Sequence, residues 1–323
     1  MKAIVYDTYG SPDVLRLADL EKPRPADNEV LVRVRAASLN PLDWHFLRGT
    51  PYFLRLSVGL RKPKSTRLGV DAAGEVEASG RNVTRLKPGD AVFGGCRGAF
   101  AEYVCAPETA LAQMPENLSF EQAAAVPVAA LTALQGLRDH GRLQAGQSVL
   151  INGAAGGVGT FAVQIARWLC AEVTGVCSAA NVELVRSLGA ERVIDYARED
   201  FTSGPERYDL ILECVGNHPF SAGRRVLKPG GICVGVGASS GRWMLADMAG
   251  LVGNVALSRF LSRKFVPMVT KRSAPDLALL CNLLAAGNIT PVIDRRYTLS
   301  EVPEAIRYLE AGHARGKVVI VVA

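Results

Sequence analysis

Closely spaced cysteines are missing from this sequence. Its seven cysteines are spread over 323 residues, and no two of them form a Cys-x-x-Cys pair. Small secreted domains that depend on disulfides carry many more cysteines in much shorter chains, so the sequence excludes a disulfide scaffold. We expect reduced thiols and a cytoplasmic protein.

Long hydrophobic runs are missing as well. No uninterrupted apolar stretch approaches the ~18 residues that a membrane-spanning helix needs, and the N-terminal segment lacks the apolar core of a secretion signal. The 37 basic residues exceed the 31 acidic ones by six, and we find no zinc finger and no basic stripe interleaved with aromatic side chains. The sequence therefore predicts neither a membrane span nor a nucleic-acid partner.

What the sequence does have is the composition and length of a two-domain globular protein. Hydrophobic residues make up 49% and charged residues 21% of the chain, and at ~150 residues per domain the length suggests two domains. Short alternating runs such as Glu29–Ala36, separated by turns such as Lys87–Asp90, predict a β-rich barrel or sandwich in the first hundred residues. From residue 147 onward strands and helices alternate, which indicates a parallel sheet with helices on both faces.

A glycine-rich loop is the most informative motif. Gly153, Gly156, Gly157 and Gly159 follow the predicted strand Ser148–Asn152 and precede a predicted helix. In that setting the loop lets the backbone approach a pyrophosphate, which the N–H groups and the positive end of the helix then hold. The alternative is a tight turn without a ligand, and the setting favours a dinucleotide site.

The second strand of this domain identifies the dinucleotide. NAD sites usually carry Asp or Glu at the end of this strand, on the ribose 2′-hydroxyl, whereas here Cys177 and Ser178 end it and Asn181 follows. A 2′-phosphate meets no carboxylate there and can receive hydrogen bonds from Ser178, Asn181 and Tyr196. The sequence therefore predicts NADPH, with no Arg or Lys at 178–182 to contact the phosphate.

The order and spacing of short segments along the whole chain resemble one family. These segments include 29–34 (Glu-Val-Leu-Val-Arg-Val), 38–43 (Ser-Leu-Asn-Pro-Leu-Asp), 69–74 (Gly-Val-Asp-Ala-Ala-Gly), 98–103 (Gly-Ala-Phe-Ala-Glu-Tyr), 153–159 and 316–319 (Gly-Lys-Val-Val). The chain is similar to the zinc-free quinone oxidoreductase branch of the medium-chain dehydrogenase/reductase superfamily. The resemblance implies an α/β protein, with a Rossmann doubly wound parallel sheet plus a GroES-like β-barrel catalytic domain. We place the N-terminal part of the catalytic domain at 1–122, the NADP-binding domain at 123–265 and the return to the catalytic domain at 266–323.

The resemblance also implies a protein that works without zinc. Zinc-dependent relatives carry a catalytic Cys near position 38 and a Gly-His-Glu at 69–71, where this sequence has Ser38 and Gly-Val-Asp. Relatives with a structural zinc have four closely spaced cysteines after the Lys-Pro-Gly-Asp turn, where only Cys96 and Cys105 lie here. Zinc favours a closed set of N and S ligands, so we predict no metal and interpret both cysteines as ordinary thiols.

Without a metal to act as a Lewis acid, the expected chemistry is hydride delivery from NADPH to an acceptor that is already electrophilic. Quinones and activated alkenes are such acceptors, and the protein supplies mainly orientation and a dry site. Two alternatives stay open. One is an enoyl or enone reductase of lipid or polyketide-type substrates, and the other is a non-catalytic NADPH-binding protein.

The motifs and the resemblance together give the candidate site residues. The candidate catalytic residues are Asn40, Asp43, His45 and Tyr52. The candidate cofactor-binding residues are Asn40, Thr132, Gly153, Ala155, Gly156, Gly157, Val158, Gly159, Ser178, Asn181, Tyr196, Val215, Gly216, Val236, Gly237 and Lys317. Structural alternatives exist for several of them, since Asn and Asp also cap turns, a helix Thr bonds its own backbone, and a lone His is often structural.

Two basic and apolar stretches, Arg55–Arg67 and Trp243–Val269, depart from the compact relatives. Segments of this kind can lie on anionic membranes, and a membrane quinone pool would give such a contact a purpose. Because the polar face is short, we expect a lid or a dimer surface, with a weak membrane-surface contact as the alternative. The expected partners are a small-molecule quinone or enone and a second copy of the chain in a homodimer.

Overall fold

The computed structural model describes residues 1–236, 253 and 262–322. The chain forms two compact units. The first consists of Met1–Leu131 together with Arg272–Ala323, and the second of Thr132–Lys271. Residues near both termini therefore contribute to the first unit.

Strands dominate the first unit, and strands and helices alternate in the second. The strands of the described residues are β1 (Lys2–Val5), β2 (Arg16–Asp19), β3 (Glu29–Ser38), β4 (Asp71–Ser79), β5 (Ala91–Gly95), β6 (Tyr103–Pro107), β7 (Leu111–Gln113), β8 (Ser148–Asn152), β9 (Glu172–Cys177), β10 (Arg192–Asp195), β11 (Tyr208–Glu213), β12 (Leu227–Gly235), β13 (Lys264–Pro267), β14 (Ile293–Thr298) and β15 (Lys317–Val321). The helices are α1 (Pro41–Arg48), α2 (Arg55–Val58), α3 (Phe120–Ala124), α4 (Pro127–Leu134), α5 (Gly157–Trp168), α6 (Val182–Ser187), α7 (Phe220–Gly223), α8 (Ala274–Ala285) and α9 (Val302–Glu310). A π-helical turn over Gln135–His140 continues α4.

A seven-stranded sheet forms the body of the first unit. Its order is β14-β15-β3-β4-β5-β7, and β6 also pairs with β3. The long strand β3 alternates, so that Val32 and Val34 are buried while Arg33 and Arg35 face solvent. The buried side chains form one apolar core with those of the other strands and of α9. The β-rich first domain predicted from the sequence is confirmed.

A six-stranded parallel sheet in the order β10-β9-β8-β11-β12-β13 forms the body of the second unit. The chain runs outward from β8 to β10, then crosses over to β11 and runs outward to β13. The order therefore reverses between β8 and β11, and ligands of such sheets bind beyond the carboxyl ends of the strands at this point. Val149–Ile151 of β8 and Leu210–Leu212 of β11 are fully buried, as expected for a parallel sheet covered on both faces. The predicted Rossmann architecture is confirmed.

The unit boundaries lie at 131/132 and 271/272, whereas the sequence places them at 122/123 and 265/266. Ser119 caps α3 by accepting a hydrogen bond from the Gln122 N–H at 3.2 Å, and α3 packs on β3 and β4 of the first unit. At the other boundary β13 pairs with β12, which keeps the chain in the second unit past residue 265. Periodicity marks where an element changes type, but the sheet on which the element packs decides the unit to which it belongs.

Two sequence predictions fall wholly or largely outside the described residues. Gly237 is one of them, and of Trp243–Val269 only 253 and 262–269 are described. Among the described residues, no helix is both long enough and apolar enough to cross a membrane.

Candidate functional site

A cluster of buried polar side chains lies inside the first unit. Asn40 follows β3, Asp43 lies in α1, Asp71 begins β4 and Lys317 begins β15. Antiparallel pairing sets Ser38 of β3 opposite Asp71 of β4, and β15 pairs with the same end of β3. The sheet register therefore collects residues that are far apart in the chain, and each is at most 3% exposed.

Hydrogen bonds link the cluster into one chain. Lys317 Nζ donates to the Leu39 carbonyl at 2.8 Å and to Asn40 Oδ1 at 2.7 Å. Asn40 Nδ2 in turn donates to Asp71 Oδ2 at 2.8 Å, and Asp71 also accepts from the Val128 N–H at 3.2 Å. The Asn40 amide is thus held at both ends.

Asp43 is fixed by the backbone. Its Oδ2 accepts from the Asn40 N–H at 2.8 Å and its Oδ1 from the Gly69 N–H at 3.1 Å. Gly69 has a φ of +96°, a conformation that glycine adopts without strain. A carboxylate with both oxygens bonded to the main chain ties α1 to the chain segment that leads into β4.

Burial governs the protonation of this cluster. The pKa of Asp43 is raised to about 7, mainly by burial and also by the neighbouring Asp71 carboxyl. The N–H groups of Asn40 and Gly69 and the charge of Lys317 limit this rise. Burial also raises the pKa of Asp71, against the effect of Lys317, and lowers the pKa of the Lys317 amine. Two carboxyls and one amine share a site in which every charged form is costly.

His45 and Tyr52 lie apart from these hydrogen bonds. His45 Nδ1 is 2.7 Å from the Thr50 carbonyl oxygen, and the ring stacks on Trp44 with centroids 3.7 Å apart. Because a carbonyl only accepts, Nδ1 carries the proton and Nε2 of the neutral ring is an acceptor. Burial lowers the pKa of His45. Tyr52 is 45% exposed, with the Arg55 guanidinium 4.9 Å from its ring centroid.

The glycine loop of the second unit opens onto the start of α5. Gly153 follows β8 with a φ of +83°, and Gly156 caps α5 without any side-chain hydrogen bond to the helix. The first N–H groups of an α-helix have no partner within it, so those of Gly157, Val158 and Gly159 are open to an anion. A Cβ on Gly156 would meet nothing nearer than the Gly153 carbonyl oxygen at 3.3 Å.

Gly159 has a different role in the same loop. A Cβ there would lie 2.1 Å from the Gly153 carbonyl oxygen, so this glycine lets α5 pack closely against the loop. Ala155 is buried between them. The loop therefore fits a pyrophosphate at Gly156 and close packing at Gly159, the division of roles expected in a dinucleotide fold.

The end of β9 carries hydroxyl and amide groups and no carboxylate. Asn181 Nδ2 donates to Ser178 Oγ at 3.1 Å, which leaves the Ser178 proton available for a second acceptor. Asn181 Oδ1 is buried without a hydrogen-bond partner, and such a group is costly unless a ligand satisfies it. Tyr196, just after β10, is 56% exposed, and its N–H donates to the Cys177 carbonyl at 3.1 Å. The Ser178 hydroxyl can donate to a phosphate on a ribose, and Asn181 Oδ1 can accept from a ribose hydroxyl.

Sequence reasoning missed two residues of the second unit, Asn152 and Glu213. They end the adjacent strands β8 and β11, and Asn152 Nδ2 lies 2.9 Å from both Glu213 carboxylate oxygens. Glu213 Oε1 also accepts from the N–H groups of Val215 and Gly216 at 2.9 Å. The candidate residues Val215 and Gly216 therefore use their N–H groups within the protein. The available signal was that polar residues end two buried strands at one edge.

Three further candidate residues have hydrogen-bond partners within the protein. Thr132 Oγ1 lies 2.5 Å from Thr270 Oγ1, and the Val236 N–H donates to the Glu213 carbonyl at 2.9 Å. Lys317, a cofactor candidate from the sequence, directs its amine to Leu39 and Asn40 in the first unit. The first unit thus brings together Asn40, Asp43 and Lys317, and the second brings together the glycine loop with the ends of β9 and β11.

The described residues contain no group of three or more His, Cys, Asp or Glu side chains arranged to hold a metal ion. Ser38 Oγ and Asp71 Oδ2 are 3.4 Å apart, and Lys317 Nζ is 3.9 Å from Asp71. Burial, with the nearby carboxyls of Asp71 and Asp43, raises the pKa of the Cys96 thiol to about 12. These groups offer a zinc ion neither a thiolate nor an imidazole.

Two family models match the chain. Residues 26–116 match the alcohol dehydrogenase GroES-like domain, and residues 188–320 match a family described as zinc-binding dehydrogenase. The first match covers β3 to β7 of the first unit, and the second begins just after α6 and ends within β15.

Curated proteins and solved structures match the chain from end to end. The chain is 32% identical to the chloroplast envelope quinone oxidoreductase homolog of Arabidopsis thaliana, over 99% of this chain and 98% of that protein. It is 33% identical to the NADPH-dependent alkenal/one oxidoreductase of the same plant, over 99% of this chain and 79% of that protein. The quinone oxidoreductase from Coxiella burnetii superposes with a TM-score of 0.88 at 34% identity, covering 100% of this chain and 99% of that one.

Proposed function

The chain belongs to the quinone oxidoreductase branch of the medium-chain dehydrogenase/reductase superfamily, and we propose that it is an NADPH-dependent reductase of quinones or activated alkenes. The observation that carries the proposal is the open N-terminus of α5 under the glycine loop, in a chain that matches such reductases over nearly its whole length. A helix end without a cap is a ready site for a pyrophosphate.

We assign cofactor binding to the second unit. The N–H groups of Gly157–Gly159 would hold the pyrophosphate, and Ser178, Asn181 and Tyr196 would hold the phosphorylated ribose. NADPH, when bound, supplies the hydride. Glu213 keeps the backbone after β11 in place through Val215 and Gly216, which fixes the wall of the crevice at the strand ends.

In the first unit we assign the orientation of the reacting groups to Asn40. Lys317 and Asp71 hold its amide at both ends, so its position is set before any substrate arrives. Asp43 uses both oxygens on backbone N–H groups, which makes it a positioning residue. Quinones and enones are electrophilic without a metal, and water supplies the proton that completes the reduction.

His45 and Tyr52 are proposed to border the substrate. His45 with its proton on Nδ1 presents Nε2 only as an acceptor, so it can receive a hydrogen bond from a hydroquinone or an enol. Tyr52 keeps a partly exposed hydroxyl, which can donate to a carbonyl oxygen.

The test is NADPH oxidation with a panel of acceptors. A simple quinone and an α,β-unsaturated ketone are supplied separately, and the products are identified. Turnover to a hydroquinone or a saturated ketone supports the proposal and separates the two substrate classes, including the enone reductase of lipid-type substrates. NADPH binding without turnover of any acceptor would instead identify a non-catalytic NADPH-binding protein.

We expect the cofactor preference to depend on Ser178. In the wild type NADPH should bind more tightly than NADH, and Ser178→Asp should reverse or abolish this preference, because a carboxylate repels the 2′-phosphate. Fluorescence titration with both cofactors measures the effect. Ser187→Asp, which places the same charge on the exposed end of α6, is the control and should leave the preference unchanged. Equal binding of NADH by the wild type would refute the argument.

We also propose a homodimer and a cytoplasmic location, both of which stay predictions. Sedimentation equilibrium of the full chain tests the first, and imaging of a tagged chain in the cell tests the second. A monomer at all concentrations would contradict the dimer.

A further inference from the structure

One short segment of the chain is rich in basic residues and contains no acidic ones. Residues 44–70 contain six Lys or Arg and no Asp or Glu, and the whole chain carries a net charge of +6. The rest of the chain therefore has equal numbers of basic and acidic residues. A net charge of this size that lies on one segment creates a local field that attracts anions.

The same segment exposes large apolar side chains. Leu56 is 75% exposed, Leu60 66% and Phe53 43%, within eight residues of one another. Clustered exposure of this kind marks an interaction site, whereas scattered apolar side chains are ordinary. We define the basic apolar patch as Phe53, Leu56, Leu60, Arg61, Lys62 and Lys64.

The patch is held on an anchored loop. Arg55 Nε donates to the Gly49 carbonyl at 2.9 Å, and its guanidinium lies over the Tyr9 ring at 4.5 Å. Tyr9 in turn donates its hydroxyl to the Gly59 carbonyl at 2.6 Å. The Lys64 N–H bonds the Val58 carbonyl at 2.7 Å, so the chain folds back after α2. This turn places the basic residues beside the exposed leucines.

The basic side chains of the patch are not neutralised by carboxylates within the described residues. Arg61, Lys62 and Lys64 are exposed, and the Lys64 amine reaches only a carbonyl, that of Ser57 at 3.2 Å. By contrast, Arg48 of the same segment pairs with Glu310. The charge that faces solvent is therefore available to an external partner.

We propose that the basic apolar patch docks the protein on the surface of an anionic lipid bilayer. Leucine and phenylalanine side chains enter the boundary between headgroups and acyl chains, and lysine and arginine remain among the anionic headgroups. A second copy fits less well, because an isologous contact centred on the patch would set like charges against each other. Nucleic acid offers the negative charge but no apolar layer to receive Leu56 and Leu60.

The test is co-flotation of the full chain with vesicles, without cofactor or substrate, so the result does not depend on the proposed activity. The wild type should bind to vesicles that contain phosphatidylglycerol in phosphatidylcholine. It should bind much less to vesicles of phosphatidylcholine alone. Each basic residue near the surface contributes about fivefold to binding, so Arg61→Gln/Lys62→Gln/Lys64→Gln should weaken it by on the order of a hundredfold. Leu56→Ser/Leu60→Ser should also release the protein, because the apolar side chains that enter the bilayer boundary are lost.

Control variants carry the same types of substitution at exposed residues outside the basic apolar patch. Arg81→Gln/Arg186→Gln/Arg198→Gln removes three exposed charges from other surfaces, and Leu17→Ser removes a 43% exposed leucine on β2. Both should bind vesicles like the wild type. The proposal is overturned if the patch variants also bind normally, if neutral and anionic vesicles bind alike, or if the leucine variant disrupts self-association without vesicles. Tighter binding to duplex DNA than to anionic vesicles would assign the charges to nucleic acid and overturn it as well.

Discussion

Lys317 lies in surroundings that disfavour its charge and yet supply two acceptors and a nearby carboxyl. It is 3% exposed, its amine donates to Leu39 and Asn40, and Asp71 lies 3.9 Å away. Removing one member of a buried set leaves the others without partners in a medium that solvates them poorly. Lys317 therefore stabilises the cluster through its hydrogen bonds as well as through its charge.

We expect Lys317→Met to lower the free energy of unfolding by on the order of 3 kcal/mol, because two buried acceptors lose their donor and the buried Asp71 carboxyl loses a nearby positive charge. Urea denaturation measures the change. Lys228→Met is the control, since Lys228 pairs with Asp209 at 2.8 Å but is 43% exposed, and such pairs contribute at most about 1 kcal/mol. Equal losses in the two variants would show that burial of Lys317 has no special effect.

The raised pKa of Asp43 predicts a dependence of stability on pH. Folding raises this pKa from 3.8 to about 7, so between these values the folded state binds more protons than the unfolded state. The free energy of unfolding therefore falls as the pH rises through this window, and the loss is complete above about pH 7. Asp71 adds to the slope in the same direction, whereas the lowered pKa of His45 opposes it.

Asp43→Asn isolates the contribution of Asp43, because the other groups are present in both proteins. Unfolding titrations from pH 4.5 to 8, values chosen to bracket the window, should give a flatter slope for the variant, whatever its stability at any one pH. Parallel curves for the two proteins would mean that Asp43 is ionised throughout, and the electrostatic account of the cluster would be wrong.

The sequence identifies those site residues that lie in a local motif or at a position the family resemblance marks. Asn40, Asp43 and the loop glycines follow from short segments, and the structure gives them the contacts described above. Asp71 and Glu213 could not be assigned a role in this way. Their partners Lys317 and Asn152 lie far away in the chain, and only strand register brings them together.

At the scale of elements, the start of α5 is where fold and function meet. Gly156 has φ −81° and ψ 178°, an extended conformation that any residue adopts. A Cβ there would meet only the Gly153 carbonyl oxygen, in a tight contact of 3.3 Å, and a larger side chain would occupy the space in front of the helix. The backbone conformation therefore does not require a glycine here, and the pyrophosphate proposed to bind at this helix end gives a reason for one.

We expect Gly156→Val to weaken NADPH binding by on the order of a hundredfold or more, because it displaces the pyrophosphate from at least two N–H donors worth about 1.5 kcal/mol each. Fluorescence titration of the folded variant measures this. Gly223→Ala in α7, where a Cβ would make only an ordinary contact with Ile211 at 3.8 Å, is the control. An unchanged dissociation constant would reduce the glycine loop to a structural turn.

The sequence predicts most elements of the second unit because its strands are short apolar runs bounded by turns. Strand ends are predicted less accurately where a single residue stops the hydrogen bonding between strands. β14, for example, begins only at Ile293, since Pro291 just before it has no N–H to donate to a neighbouring strand. The π-helical turn after α4 has no signal in the periodicity, because it differs from an α-helix only in its hydrogen-bond spacing.

At the scale of the whole molecule, each unit contains its own buried polar centre. In the first unit the centre is Asp71 with Lys317, and in the second it is Glu213 with Asn152. Neither centre can be predicted from amino-acid composition or net charge, because these are averages over the whole chain. The first centre is therefore tested by unfolding of the full chain, and the second unit by cofactor binding.

The last prediction concerns metal in the whole protein, because the C-terminal part of the chain matches a family described as zinc-binding dehydrogenase. Within the described residues Ser38 and Asp71 face each other across the β3–β4 pair, beside the amine of Lys317. A zinc ion there would meet oxygen ligands and a second positive charge, whereas zinc favours sulfur and nitrogen ligands. We therefore expect mass spectrometry of the purified protein to find far less than one zinc per chain. Dialysis against a chelator should leave NADPH oxidation unchanged, while a zinc-containing dehydrogenase treated in parallel loses its activity. One zinc per chain, removed together with the activity, would place a metal in the reaction and refute the mechanism in which the buried cluster acts without one.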